Sequence, residues 1–284
     1  MKLPSGAVLN FSAPALIMAA INCNEDSFYV QSRALQNEAV EKALTAEKEG
    51  ASIIDFGAES SRPGASYISC EEELERLVPV IRAFKKRSSI PVSVDTRKAE
   101  VARILLNEGA DIINDISGLS DDPQMAPLCA EKGAVVVLMH KKGIPLTMQE
   151  KPYYKNLVSE LKAWFFSAAE RAVSAGISRE KIILDPGIGF GKRLQDNLEI
   201  LRSLAEICGK DYPILVGLSR KSFIGEITGR ETNERLAGTL AANMAAIMGG
   251  AKIIRVHDVK EHNDLVKVLS AIYPDLNTRL QAGA

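Results

Sequence analysis

Cysteine, histidine and aromatic side chains are scarce in this chain, and long apolar runs are missing. The four cysteines (Cys23, Cys70, Cys129 and Cys208) lie far apart and form no CxxC pair, and only His140, His257 and His262 accompany them. That spacing gives no support to a zinc site. Scattered cysteines read as reduced thiols of a cytoplasmic protein. Aromatic residues are 5% of the chain, the net charge is −1, and no long basic run occurs. Non-specific nucleic-acid binding and attachment to anionic membranes are therefore poor explanations. Residues 13–21 are apolar and follow a lysine, but Pro4, Gly6, Asn10 and Ser12 interrupt any charged-then-apolar signal pattern. No apolar run reaches the ~18 residues that a membrane span needs. Residues 238–251 form the longest weakly polar stretch, and its small residues suit a helix packed closely on a sheet.

What is present is an ordinary globular balance, 46% apolar and 25% charged residues over 284 positions. Within it one pattern repeats, a short apolar run that ends in a polar residue. The runs are 15–21 before Asn22, 52–54 before Asp55, 91–94 before Asp95 and 112–113 before Asn114 and Asp115. Further on come 134–139 before His140, 181–184 before Asp185, 213–218 before Ser219 and 252–254 before Arg255. Most are rich in Val and Ile, as expected of strands covered on both faces.

Amphipathic, helix-favouring segments lie between them, among them 38–49, 71–86, 99–107, 157–175, 195–207 and 235–248. Gly50, Gly109, Gly133, Gly176 and Gly250 stand where those helices should stop. The alternation predicts a closed α/β barrel, (β/α)8 or TIM type, which typically occupies about 250 residues. The rival architecture is an open doubly wound sheet. Residues 1–14 are expected to form a hairpin or plug under the barrel. No composition break divides residues 1–284, so one domain is expected.

Barrel active sites sit at the C-terminal strand ends. Here those ends supply Asn22, Asp55, Glu59, Arg62, Asp95, Asn114, Asp115, His140, Asp185, Ser219, Lys221, Arg255 and His257. Asp95, Asn114 and Asp185, with Lys221 nearby, suit the donor-rich edge of a flat heterocycle such as a pterin or purine. Arg62, Arg255 and His257 suit phosphate oxygens, and the segment 219–222 follows strand seven, where barrels often hold an anion. Asp55 is equally explained as a tie for its own loop. Only one of Asn114 and Asp115 should face the site, because neighbouring strand residues point opposite ways. His140 reads as a loop residue beside Lys141 and Lys142, and His262 as part of a late surface helix. The glycine-rich stretch 186–192 is neither a P-loop nor a dinucleotide fingerprint. It is better read as a close backbone turn after Asp185, with Phe190 as an apolar wall.

Six ordered segments resemble the dihydropteroate synthase family, and they span nearly the whole chain. They are Glu-Ser-Ser-Arg-Pro-Gly-Ala at 59–65, Ser-Val-Asp-Thr at 93–96 and Asp-Ile-Ile-Asn-Asp-Ile at 111–116. Then come Leu-Asp-Pro-Gly-Ile-Gly-Phe-Gly-Lys at 184–192, Ser-Arg-Lys-Ser-Phe-Ile-Gly at 219–225 and Arg-Val-His-Asp-Val at 255–259. The resemblance implies the same barrel and condensation of 6-hydroxymethyl-7,8-dihydropterin diphosphate with p-aminobenzoate, releasing pyrophosphate in folate synthesis. It implies pterin contacts from Asp95, Asn114, Ile116, Met139, Asp185, Lys221 and the alkyl part of Arg255. Diphosphate contacts would come from Asn22, Ser61, Arg62, Arg255 and His257, with Asn22 also binding Mg2+. The p-aminobenzoate pocket would be bordered by Phe28, Pro63, Phe190, Lys221 and Ser222. A homodimer through late helices, an SN1-like departure of pyrophosphate and sulfonamide sensitivity are also implied.

The chain departs from the family pattern after the first strand. The family usually reads Asn-Val-Thr-Pro-Asp-Ser-Phe-Ser-Asp-Gly-Gly; here Asn22 is followed by Cys23, Asn24, Glu25, Asp26, Ser27, Phe28, Tyr29 and Val30. In the second loop the usual Gly-Gly is Gly57-Ala58 and the usual Thr is Ser61. Two rivals share Asp95, Asn114 and Asp185. One is a pterin-binding domain serving methyl transfer, against which Arg62 and Lys221 speak. The other is a pterin-binding paralogue without synthase activity, which would have no use for the phosphate-facing residues.

Overall fold

The computed structural model describes residues 1–23, 33–60, 67–143, 148 and 152–276. Strands and helices alternate from the first strand to the last helix. The first half runs β1 (Leu16–Asn22), α1 (Arg33–Glu49), β2 (Ile53–Gly57), α2 (Cys70–Lys85), β3 (Val92–Asp95), α3 (Ala99–Asn107), β4 (Ile112–Asp115) and α4 (Met125–Lys132). The second half runs β5 (Val135–Met139), α5 (Leu157–Ser174), β6 (Ile182–Asp185), α6 (Leu194–Arg202), α7 (Leu204–Cys208), β7 (Ile214–Gly217), α8 (Ser222–Thr228), α9 (Leu236–Met248), β8 (Ala251–Val256) and α10 (Val259–Ile272). All neighbouring strands pair in parallel, and β1 pairs with β8 as well as with β2. That last pairing closes the ring and rules out the open sheet.

The strand pleat sorts the apolar residues into two cores. Leu16, Met18, Ile53, Ile112, Val135, Val137, Ile183, Leu215 and Ile253 fill the barrel interior. Their sequence neighbours Ile17, Ile54, Ile113, Val136, Ile182, Val216 and Ile254 pack outward beneath the helices. Residues 1–14 form the expected plug. Lys2 and Val8 bridge antiparallel, and Leu3 and Leu9 join the interior cluster from below.

Helix ends follow the glycines, since Gly50, Gly109, Gly133, Gly176 and Gly250 all take positive φ. Gly133 is the left-handed cap of α4. The helix expected over 195–207 is broken at Ser203 into α6 and α7. Among the described residues no helix is long and apolar enough to cross a membrane.

Candidate active site

The barrel interior changes character one inward position above its apolar layers. Where β2, β3, β4, β6 and β8 next point inward they carry Asp55, Asp95, Asn114, Asp185 and Arg255. Asp95 is register partner to both Gly57 and Asn114, while Met139 is opposite Asp185 and Gly217 opposite Arg255. Long-range pairing thus assembles residues from across the sequence into one floor.

Arg255 organises that floor. Its Nε donates to Asp55 Oδ2 at 2.6 Å and its Nη2 to Asp95 Oδ2 at 3.2 Å. Asn114 Nδ2 also donates to Asp55 Oδ2, at 3.3 Å. Asp55 is fully buried, and its Oδ1 has no hydrogen-bond partner among the described residues. The floor therefore has more acceptors than donors. A buried acceptor without a donor is costly, so this surface suits a ligand edge rich in N–H groups. Burial raises the Asp95 carboxyl above the usual range, and Arg255 opposes that rise. Burial likewise raises Asp185, against the attraction of Lys221.

Of the two readings open for Asp55, the structure supports the site rather than a loop tie, because Phe56 and Gly57 extend β2 beyond it and leave Asp55 inside the barrel. One expectation is corrected here: Arg255 is not confined to a cationic rim, since its guanidinium lies between two floor carboxylates. Of the Asn114–Asp115 pair, Asn114 enters the floor. Asp115 turns away and accepts from the N–H groups of Ser117 at 2.7 Å and Leu119 at 3.0 Å, fixing the turn after β4. Ile116 and Met139 are buried beside the floor.

The loop after β6 forms one wall. Asp185 Oδ1 accepts from Gly187 N at 2.7 Å, and Phe190 N closes a turn onto Gly187 O at 3.0 Å. Lys221 Nζ reaches across from the N-terminus of α8 and donates to Ile188 O. It also lies 4.8 Å from the Phe190 ring centroid. Burial lowers the Lys221 pKa to about 8, with Asp185 opposing and Arg255 reinforcing the shift. Ser222, the first residue of α8, is exposed.

The loop after β7 is bound to the loop after β8. Ser219 Oγ lies 2.9 Å from Nδ1 of the exposed His257. Arg220, at the unusual φ of +56°, makes a bidentate pair with Asp258 at 2.6 and 3.0 Å. His262 is fully buried rather than on a surface. Its Nδ1 lies 2.6 Å from Asp258 O and its Nε2 accepts from Asn243 Nδ2 at 2.9 Å. Its helical spacing alone did not distinguish a solvent-facing from a barrel-facing position.

Asn22 stands exposed at the end of β1. Glu59, counted above with the strand-end polar residues, instead closes the base of the second loop. It accepts from Ile68 N at 3.0 Å, Arg97 Nε at 3.0 Å and Lys98 Nζ at 2.8 Å. Burial would raise its pKa, but those donors hold it below its ordinary value. Phe28, Ser61, Arg62 and Pro63 lie outside the described residues.

Comparison with known proteins matches this geometry. The family model described as pterin binding enzyme matches residues 18–257. The dihydropteroate synthase of Escherichia coli strain K12 is 45% identical over 275 residues, covering 95% of this chain and 96% of the relative. The Yersinia pestis dihydropteroate synthase, solved with a sulfonamide drug complex, superposes with a TM-score of 0.89 at 39% identity, covering 95% of this chain and 98% of that one. The Xanthomonas albilineans enzyme with 4-aminobenzoic acid gives 0.88 at 38% identity, covering 94% and 96%.

Proposed function

The chain belongs to the pterin-binding enzymes and, among them, to the dihydropteroate synthases, and from that premise we propose how its residues divide the reaction. The family are transferases that join 6-hydroxymethyl-7,8-dihydropterin diphosphate to p-aminobenzoate and release pyrophosphate. One observation carries the assignment of the pterin site: the acceptor-rich floor of Asp55, Asp95, Asn114 and Asp185, in which Arg255 bonds Asp55 and Asp95 and Asn114 bonds Asp55. Asp95, Asn114 and Asp185 would take the N–H and amino donors of the ring, Lys221 its carbonyl, and Ile116 and Met139 its faces. Asn22, Ser61, Arg62 and His257 would face the diphosphate, with Arg255 bridging the two regions. Phe28, Pro63, Phe190, Lys221 and Ser222 would border the p-aminobenzoate.

The aniline nitrogen is already a neutral nucleophile, so departure of pyrophosphate is the demanding step. Cations at the diphosphate stabilise the leaving charge, while Asp95 and Asp185 favour positive charge on the ring as the bond breaks. Mg2+ suits this mouth as a substrate-borne ion. Among the described residues no three His, Cys, Asp or Glu side chains cluster as a metal cage. Mg2+ commonly takes one or two protein oxygens and completes its shell with phosphate and water. Asn22 would supply that protein oxygen, and bound Mg2+ would neutralise charge on the departing pyrophosphate. We assign the chain to the cytoplasm, as one domain forming a homodimer.

Pyrophosphate release with both substrates and Mg2+ tests the synthase reading directly. Release that depends on p-aminobenzoate is expected; tight pterin binding without it would instead fit a binding paralogue.

Binding should also move protons. The free floor carboxyls Asp95 and Asp185 are held protonated to higher pH than usual. N–H donors from a pterin favour the carboxylate form and lower those pKa values. Titration calorimetry near pH 7 in phosphate and in Tris is therefore expected to show release of up to roughly one proton per pterin bound. Net proton uptake would contradict the donor-to-carboxylate arrangement.

A further inference from the structure

Lys192 lies beneath the wall that borders the proposed p-aminobenzoate pocket, and it is 2% exposed. Its ammonium meets three neutral acceptors: His140 Nδ1, His140 O and Phe190 O, each at 3.1 Å. An ammonium has three N–H donors, so this geometry saturates it with no carboxylate in hydrogen-bond contact among the described residues. The acceptors come from two places, the end of β5 and the loop after β6. Those segments already touch through backbone. A Cβ on Gly187 would fall 2.0 Å from His140 O, and one on Gly191 2.1 Å from Lys142 O. Tyr154 adds a hydrogen bond from its hydroxyl to Gly191 O at 3.0 Å, and Trp164 packs edge-on to the His140 ring at 5.0 Å.

We propose that Lys192 is a positioning residue for p-aminobenzoate capture, locking the 187–191 loop to His140 so that Phe190 and Ile188 O stay aligned with Lys221. The proposal rests on the synthase reading above. A buried ammonium is a poor packing element. Burial lowers the Lys192 pKa to about 7, with Asp185 opposing, so the charge is kept against its desolvation cost by the three acceptors it serves. Lys192 gives instead directional hydrogen bonds to the carbonyl of the residue that forms the wall. Asp95, Asn114 and Asp185 stand on strands, so loosening this loop leaves the pterin floor in place.

The test is Lys192→Met, assayed beside the wild type. The KM for p-aminobenzoate is expected to rise about tenfold while the pterin dissociation constant stays within about threefold. The melting temperature is expected to fall by a few degrees, because three buried acceptors lose their donor. The His140 ring gives a second readout. Its Nδ1 accepts from Lys192, which fixes the Nε2–H tautomer, so the ring 15N shifts should lose that signature in the variant. An unchanged KM, or equal weakening of pterin and p-aminobenzoate, overturns the proposal. Should Lys192→Met fail to fold, His140→Leu removes one acceptor and is expected to raise the same KM about threefold; no rise there also overturns it. In the double variant the two effects should combine to much less than their product, as for residues acting through one contact. Absence of turnover in the wild type would defeat the synthase reading rather than the anchor.

Discussion

Replacing Arg255 with leucine is expected to destabilise the barrel by about 3–5 kcal/mol, the usual cost of leaving a buried charge without its partner. In a chain of this size that corresponds to a melting temperature lower by roughly 6–12 °C. Arg255 faces Asp55, which is fully buried, and Asp95, which is 15% exposed at its side chain. Among the described residues its loss leaves Asp55 with only the longer bond from Asn114. The pH dependence has a definite sign. Burial raises the Asp95 pKa in the folded state and Arg255 opposes that rise, so removing Arg255 raises it further. A carboxyl whose folded pKa exceeds its unfolded value binds more protons when folded, and stability then falls as pH rises between the two values. Wild type and variant lose this stability in parallel up to the wild-type Asp95 pKa of about 8 and diverge above it. The deficit of Arg255→Leu should therefore be smaller at pH 7 than at pH 9.5. Adding Asp55→Asn should recover part of it. Thermal melts of the single and double variants across that range would measure both effects, and a wild-type melting temperature in Arg255→Leu would show that the floor does not depend on this ion pair.

The same floor shows how far local sequence carries. Asp95, Asn114 and Asp185 were legible because each ends or nearly ends an apolar run, and a barrel directs such positions to its mouth. The helix stops were legible for an equally local reason, since glycine accepts positive φ at a C-terminal cap. Asp55 was ambiguous because Phe56 and Gly57 extend its strand by two residues that a run-counting rule cannot assign. His140, His262 and Lys192 were harder still. Their burial depends on which loop or helix packs over them, through contacts 52 residues apart for Lys192 and His140 and 19 for Asn243 and His262. Lys192 was visible only as part of a glycine-rich stretch that failed to match a phosphate loop. Arg255 and Asp55 are 200 residues apart. Each could be read as polar from its strand, but their ion pair exists only because the barrel closes.

Lys221→Ala is expected to separate function from folding. In the folded chain Lys221 donates to a loop carbonyl and faces the Phe190 ring. Burial disfavours its charge, lowering its pKa to about 8. Removing it therefore takes away an ammonium whose burial costs stability, and the melting temperature should stay within about 2 °C of wild type or rise slightly. Activity should behave oppositely. The Lys221 ammonium is placed to hold the ring carbonyl and one border of the p-aminobenzoate pocket, and a positioning hydrogen bond is worth more in a shielded site than in water. Its loss is expected to lower kcat/KM by about 10²–10³-fold, the scale found when one preorganised electrostatic donor is removed. The charged form acts below its pKa, so wild-type kcat/KM should fall as pH rises through about 8. That descending limb should vanish in the variant while the small residual rate remains. Steady-state pyrophosphate release from pH 6 to 9.5, paired with thermal melts, measures both halves; wild-type turnover in a folded Lys221→Ala protein would remove Lys221 from the reaction.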